Sequence, residues 1–271
     1  VKVVLLMTEK RARVNGIDMA WTEKGSGETL LLIHGFPLNR TMWEPQVAFF
    51  AENYRVIAPD LRGFGATEST AEKINTMELL AEDLAALLDY CGVEQAAVAG
   101  LSMGGYVSFA LCRQYPQRLK ALILADTKSE GDSMEAKGGR YALLAQVRVK
   151  GSHAATDGML PKLFAPANYE AMPETVALVQ TMIDTTNPET IIATLPGLAE
   201  RPDSTPTLAQ IQVPTLVIHG EADALMPVAK AEEMAAQIPN GRFVAVPHAG
   251  HMANLENVSF FNETMAKFLR G

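Results

Sequence analysis

The sequence predicts an α/β protein in which helices cover both faces of a mostly parallel, doubly wound sheet. Three observations carry this: apolar runs of strand length closed by breakers, amphipathic helices between them, and one long helical interruption of the alternation. At 271 residues, 48% of them hydrophobic and 20% charged, the chain can bury one full core and still carry an insertion.

Thr29–Ile33 and Arg55–Ala58 are the first strands predicted, closed by Gly35 with Pro37 and by Pro59. Continuous apolar runs of this length fit strands buried on both faces. Within Thr76–Tyr90, Leu79, Leu80, Leu84, Leu87 and Leu88 recur at helical spacing, Glu78, Glu82 and Asp83 mark a polar face, and Gly92 supplies the stop. Gln95–Ala99, Leu119–Ala125, Val213–Ile218 and Arg242–Val246 repeat the strand signature, with helical stretches over 103–115, 228–237 and 257–269. Such alternation implies parallel strands joined by helical crossovers.

From 128 to 206 the pattern is helical and punctuated by Pro161, Pro166, Pro173, Pro188 and Pro196. The expected division is a core of 1–127 and 207–271 and a helical cap, or lid, of 128–206. An insertion after a strand's C-terminal end lies over the sheet edge where open α/β folds bind ligands. Met134, Met159, Met172, Met182, Leu160, Leu163 and Phe164 are expected to pack the lid onto the core, with lining of an acyl pocket as the alternative.

Twenty-three basic against 31 acidic residues leave a net charge of −8 without a Lys/Arg cluster, which argues against nucleic acid or an anionic membrane surface as partner. Cys91 and Cys112 lack C-x-x-C spacing and are expected to be reduced. Val1–Met7 is apolar but short, carries Lys2 and leads to no cleavage site, so it fails as a signal peptide. No run approaches the about 18 apolar residues of a membrane span, and a cytoplasmic enzyme, monomer or homodimer, is expected. With the histidines dispersed and no H-E-x-x-H or Cys/His cluster, neither metal nor cofactor is expected.

Ser102 lies in Gly100-Leu101-Ser102-Met103-Gly104, between a predicted strand and a predicted helix. A serine on so sharp a turn has its hydroxyl forced outward, as a nucleophile requires. It needs an imidazole to take its proton and a carboxylate to hold that imidazole. His251 and His248 share the loop Pro247-His248-Ala249-Gly250-His251, and Gly250 is expected to give His251 the freedom to turn inward. His34 and His219 precede glycines at strand ends, where shaping a loop is the expected role, and His153 is expected to be exposed. Asp223, in Gly220-Glu221-Ala222-Asp223, and Asp126, just past Leu119–Ala125, can each reach the imidazole from a strand end. Asp126 is otherwise expected to cap a helix or shape a loop, and Glu221 to be a loop residue. For the oxyanion, the Met103 N–H at a helix N-terminus is one expected donor. The other is the Phe36 N–H in His34-Gly35-Phe36-Pro37, because Pro37 has no N–H.

His34-Gly35-Phe36-Pro37, Asp60-Leu61-Arg62-Gly63-Phe64-Gly65, Gly100 to Gly105, Gly220 to Asp223 and Gly250-His251 together resemble the α/β-hydrolase superfamily over residues 10–270. Within it the chain is similar to small serine hydrolases that include carboxylesterases, enol-lactonases and cofactor-free haloperoxidase or perhydrolase-type esterases. The resemblance implies an eight-stranded sheet with the second strand antiparallel, a helical cap after the sixth, and Ser102, Asp223 and His251 as triad, in that family's order. Asp60 to Gly65 is then a structural loop near the site. Haloalkane dehalogenases and epoxide hydrolases place an aspartate where Ser102 stands and are disfavoured; hydroxynitrile lyases keep the serine. The expected activity is hydrolysis of a small-molecule carboxylic ester through an acyl-enzyme. Lactone hydrolysis and perhydrolysis are alternatives on the same triad, and a non-catalytic small-ligand receptor is the alternative of another class. Lys128, Arg140, Arg148, Lys150 and Lys162 are the lid cations that a substrate carboxylate would need.

Overall fold

The computed structural model describes residues 9–69 and 74–271, so Val1–Met7 lies outside the described residues. Eight strands form one sheet: β1 (Glu9–Val14), β2 (Ile17–Lys24), β3 (Thr29–Ile33), β4 (Arg55–Pro59), β5 (Ala96–Leu101), β6 (Leu119–Ala125), β7 (Thr215–Gly220) and β8 (Gly241–Val246). Their order is β1-β2-β4-β3-β5-β6-β7-β8. β2 runs antiparallel to β1 and β4, and the pairs from β3 to β8 are parallel.

β1 and β2 are absent from the hydropathy reading, and the reason is local. β1 is an edge strand bearing exposed Glu9, Lys10, Arg11 and Arg13, charges that discourage pairing with another chain and erase any apolar period. Its hairpin turns on Asn15 and Gly16, at φ 45° and 78°, the left-handed pair that a two-residue turn between twisted strands requires. β3, β5 and β7 are buried along their whole lengths, so both sheet faces need cover.

That cover comes from α1 (Glu44–Phe50), α2 (Met77–Tyr90), α3 (Met103–Gln114), α10 (Val228–Ala236) and α12 (Val258–Arg270). α1 packs on α12, α2 on α3, and α10 on β7 and β8. Thr76 caps α2 by accepting the Leu79 N–H at 3.2 Å. Asp83, expected on the polar face of α2, is instead fully buried, because the Arg62 guanidinium reaches both of its oxygens. β7 starts two residues later than expected, after Pro214, which has no N–H for a ladder, and ends two residues later, at Gly220, so that it includes His219.

Between β6 and β7 the described residues form helices only: α4 (Met134–Lys150), α5 (His153–Met159), α6 (Asn168–Ala171), α7 (Pro173–Thr185), α8 (Pro188–Ala199) and α9 (Thr205–Leu208). Leu163, Phe164 and Met182 are buried against the core. Met134, expected to pack the lid onto the core, is instead 83% exposed as the first residue of α4. A short helix, α11 (Ala253–Glu256), follows β8. No helix among the described residues is long and apolar enough to cross a membrane.

Candidate active site

Ser102 joins β5 to α3 at φ 55° and ψ −112°, a left-handed conformation that costs a non-glycine residue about 1–3 kcal/mol. Neighbouring chain holds it there. Its N–H donates to the Ala125 carbonyl at 2.9 Å, and its carbonyl accepts the Gly105 N–H at 2.9 Å and the Thr127 hydroxyl at 2.8 Å. The turn also needs α3 close to β3: a Cβ on Gly104 would stand 2.2 Å from the Ile33 carbonyl oxygen.

His251 follows β8, and its Nδ1 lies 2.7 Å from Asp223 Oδ2. A carboxylate only accepts, so Nδ1 carries the proton and Nε2 is left with its lone pair. Burial opposes charge on His251, yet the Asp223 carboxylate raises its pKa. Burial would likewise raise Asp223, but the charge of His251 and hydrogen bonds from His219 and His251 hold it well below the usual carboxylate range. Asp223 Oδ1 is fixed separately by the Leu225 and Met226 N–H groups at 2.8 and 3.0 Å. His248 is exposed, and the left-handed residue of this loop is His248 at φ 59°, not Gly250. Gly250 is needed for proximity: a Cβ there would meet Ala165 N at 2.5 Å and Phe164 C at 2.6 Å.

Two further ionisable side chains are buried behind this pair. Asp126 caps no helix. It is fully buried at φ 44°, and its Oδ1 accepts the Gly220 N–H at 2.7 Å. His219 shapes the loop after β7 as expected, with Nε2 2.7 Å from the Met226 carbonyl oxygen, and the same nitrogen also stands 3.3 Å from Asp223 Oδ2. Asp126, His219 and Asp223 each bring an atom within 4.8 Å of the others. Most of those atoms already serve hydrogen bonds. Only Asp126 Oδ2 and His219 Nδ1 are unpartnered, fewer than a tetrahedral metal site needs. His34 is tied into its loop as expected, with Nδ1 to the Gly35 carbonyl at 2.9 Å and Nε2 accepting the Leu61 N–H at 3.0 Å. His153 is exposed, 2.8 Å from Asp184.

Ser102 and His251 line one cavity of about 740 Å³ with Phe36, Met103, Tyr106, Leu225 and Met226 on the core side. Among the described residues the Ser102 hydroxyl makes no hydrogen bond to His251, and no acceptor takes the Phe36 or Met103 N–H. Leu143, Met159, Leu195 and Leu198 supply apolar wall from the insertion. Of the five cations singled out by sequence, Lys128, Arg140 and Lys162 line the cavity, while Arg148 and Lys150 are exposed on α4. Asp132 binds Arg140, pairs with Arg201 at 2.7 Å and lies 3.9 Å from Lys128. Arg201 stacks 3.9 Å over the Tyr106 ring. Burial and the Arg201 charge depress the Lys128 pKa.

The residues that bring these parts together across the sheet edge, Thr127, His219 and Glu256, carry no short-range signal. His219 and Asp223 are four residues apart across the end of β7, a spacing with meaning only once the strand end is known.

Residues 28–258 match the family model described as the alpha/beta hydrolase fold. The chain is 30% identical over 241 residues to 3-oxoadipate enol-lactonase 2 of Acinetobacter baylyi, covering 89% of this chain and 88% of that one. Among solved structures, a thermophilic esterase from Thermogutta terrifontis, malate bound, superposes with a TM-score of 0.93 at 39% identity, covering 97% and 98% of the two chains. The enol-lactonase from Burkholderia xenovorans LB400 gives 0.90 at 29% identity, over 97% and 100%. A parallel sheet with one antiparallel strand, a helical insertion after β6 and these matches make the conclusion plain: the chain belongs to the alpha/beta hydrolase fold family.

Proposed function

We propose that this chain hydrolyses carboxylic esters through an acyl-enzyme on Ser102, with His251 as base and Asp223 as the acid that orients it. The observation that carries the reading is the 2.7 Å bond from His251 to Asp223 beside a cavity that His251 shares with Ser102. Substrate binding draws the Ser102 hydroxyl onto His251 Nε2, a hydrogen bond that is often long in unliganded enzymes. The oxygen attacks the ester carbonyl as its proton passes to Nε2, and Asp223 stabilises the resulting imidazolium.

The tetrahedral oxyanion takes the free N–H groups of Phe36 and Met103, the latter at the positive end of α3. Collapse breaks the bond to the leaving alcohol, which departs with the proton from His251. Water then repeats the sequence on the acyl-enzyme, releasing the acid and restoring Ser102.

Lactone hydrolysis is the second reading on the same residues. The enol-lactonases among the relatives support it. So do Lys128, Arg140 and Lys162 on the cavity wall, which outnumber the lining carboxylates Asp132 and Glu135 and so leave cationic charge for a substrate carboxylate. Two unpaired cysteines fit a reducing, cytoplasmic setting.

The test is turnover of p-nitrophenyl esters, aryl esters and lactones by the wild-type protein, Ser102→Ala and Asp223→Asn, with fluorophosphonate labelling read by peptide mass spectrometry. Ser102 is expected to carry the label, and Asp223→Asn to lose on the order of 10³–10⁴ in kcat. Turnover that survives Ser102→Ala, or a folded protein whose Ser102 stays unlabelled, overturns the reading.

A further inference from the structure

Behind the proposed triad lies a second buried imidazole and a second buried carboxyl for which the reaction above has no use. Asp223 Oδ2 is held between two rings, His251 Nδ1 at 2.7 Å and His219 Nε2 at 3.3 Å. The His219 ring is not free to choose its role. Nε2 is 2.7 Å from the Met226 carbonyl oxygen, an atom that only accepts, so Nε2 carries a proton and presents its N–H to Asp223 as well. Met226 also donates its N–H to Asp223 Oδ1, so one residue of backbone holds both the acid and the ring beside it. On the far side, His219 Nδ1 and Asp126 Oδ2 are buried and lack a partner. Asp126 is kept in place by the Gly220 N–H, next in sequence to His219.

Buried ionisable groups are tolerated when they compensate one another. Here the compensating groups are clustered, Asp126, His219, Asp223 and His251, contributed by the end of β6, by β7, by the loop after β7 and by the loop after β8. Tyr106 on α3 also feels Asp223, and burial keeps its phenol neutral by raising its pKa.

We propose that His219 and Asp126 are positioning residues of the Ser102, His251, Asp223 triad: His219 clamps the Asp223 Oδ2 that also holds His251, and Asp126 balances His219. The inference rests on the ester-hydrolase reading. Its energetic sense follows from charge. A protonated His219 competes with His251 for the field of Asp223 and so weakens His251 as a base, whereas the Asp126 anion strengthens it. Burial would strip His219 of its proton, but the hydrogen bond to Asp223 and the charge of Asp126 push its pKa up to about 9. Burial pushes Asp126 up to about 7 against the pull of His219.

The experiment is the pH dependence of kcat/KM for p-nitrophenyl acetate, whose acid limb reports the free enzyme's base. His219→Gln keeps an amide donor while removing the ring's charge, and the limb is expected to move to higher pH by about half a unit to one unit. Asp126→Asn removes the anion, and the limb is expected to move to lower pH by a similar amount, about half a unit. A purely structural role lowers activity at every pH and leaves the limbs where they are. Limbs within about 0.2 unit of wild type, or shifts of the same sign, overturn the proposal.

Ser102→Ala run alongside separates this failure from failure of the hydrolase reading, because only the latter lets turnover survive in that variant. A measurement on the unaltered chain covers the case in which a variant does not fold. Histidine ¹⁵N NMR at neutral pH is expected to show His219 protonated on both nitrogens, and a neutral His219 ring overturns the proposal.

Discussion

Glu256 Oε1 accepts the Gly250 N–H at 2.8 Å, and that carboxylate ties the loop of His251 to the helical insertion. Oε1 also takes the Met252 N–H at 3.2 Å, while Oε2 takes the Ala165 N–H at 2.8 Å and the Asn168 amide at 2.6 Å. Burial raises the Glu256 pKa, which these four donors partly offset. Glu256→Gln turns one acceptor oxygen into a donor and strands at least one N–H, so a loss of about 1–3 kcal/mol is expected. Thermal unfolding measures it, and kcat with p-nitrophenyl acetate is expected to fall with it as His251 loses its fixed approach.

Gly104 is expected to be intolerant of any side chain. The atom that a Cβ would strike at 2.2 Å is backbone, the Ile33 carbonyl oxygen, and cannot swing aside. Gly104→Ala is expected to cost about 3 kcal/mol, read from urea midpoints, and to move Ser102 away from the cavity. Gly138→Ala, at a site with nothing within 4 Å, is expected to be neutral or slightly stabilising and serves as the control.

Lys128→Met tests the cationic wall of the cavity. Lys128 lines the same cavity as Ser102 and His251. For an ester or lactone bearing a carboxylate, kcat/KM is expected to fall about tenfold or more, and for a neutral ester of equal size to change little.

Stability is expected to decline on the alkaline side. His219 has its pKa raised from 6.5 to about 9 by its anionic neighbours, burial notwithstanding. Its contribution is therefore whole below pH 6.5 and lost as pH rises through about 9. Melting temperatures between these limits are expected to fall in the wild-type protein and to fall less steeply in His219→Gln.

How much of this was legible beforehand varies with the kind of interaction. Thr29–Ile33 and Leu119–Ala125 emerge with the bounds expected of them, because a run of buried apolar residues of strand length, broken in the second only by the exposed Lys120, marks a strand covered on both faces. β1 was illegible because its chemistry answers to solvent on an open edge, leaving Asn15-Gly16 as the only local trace of the hairpin. Asp83 misled because a charged residue at helical spacing looks exposed until a buried guanidinium is found for it.

By itself the sequence determined the alternation of strands and helices, the sharp turn at Ser102 and the short set of residues able to serve beside it. These follow from period, glycine placement and side-chain chemistry, all local properties of the chain. Residue chemistry and spacing left Asp126 and Asp223 both open as the partner of His251, the resemblance named Asp223, and the tertiary structure puts Asp223 2.7 Å from the imidazole. It also put His219 against Asp223, Glu256 against Gly250 and Lys128 on the cavity wall. The physical reason is that such contacts depend on where separate strand ends and the insertion converge, a distance across the fold that no spacing along the chain encodes.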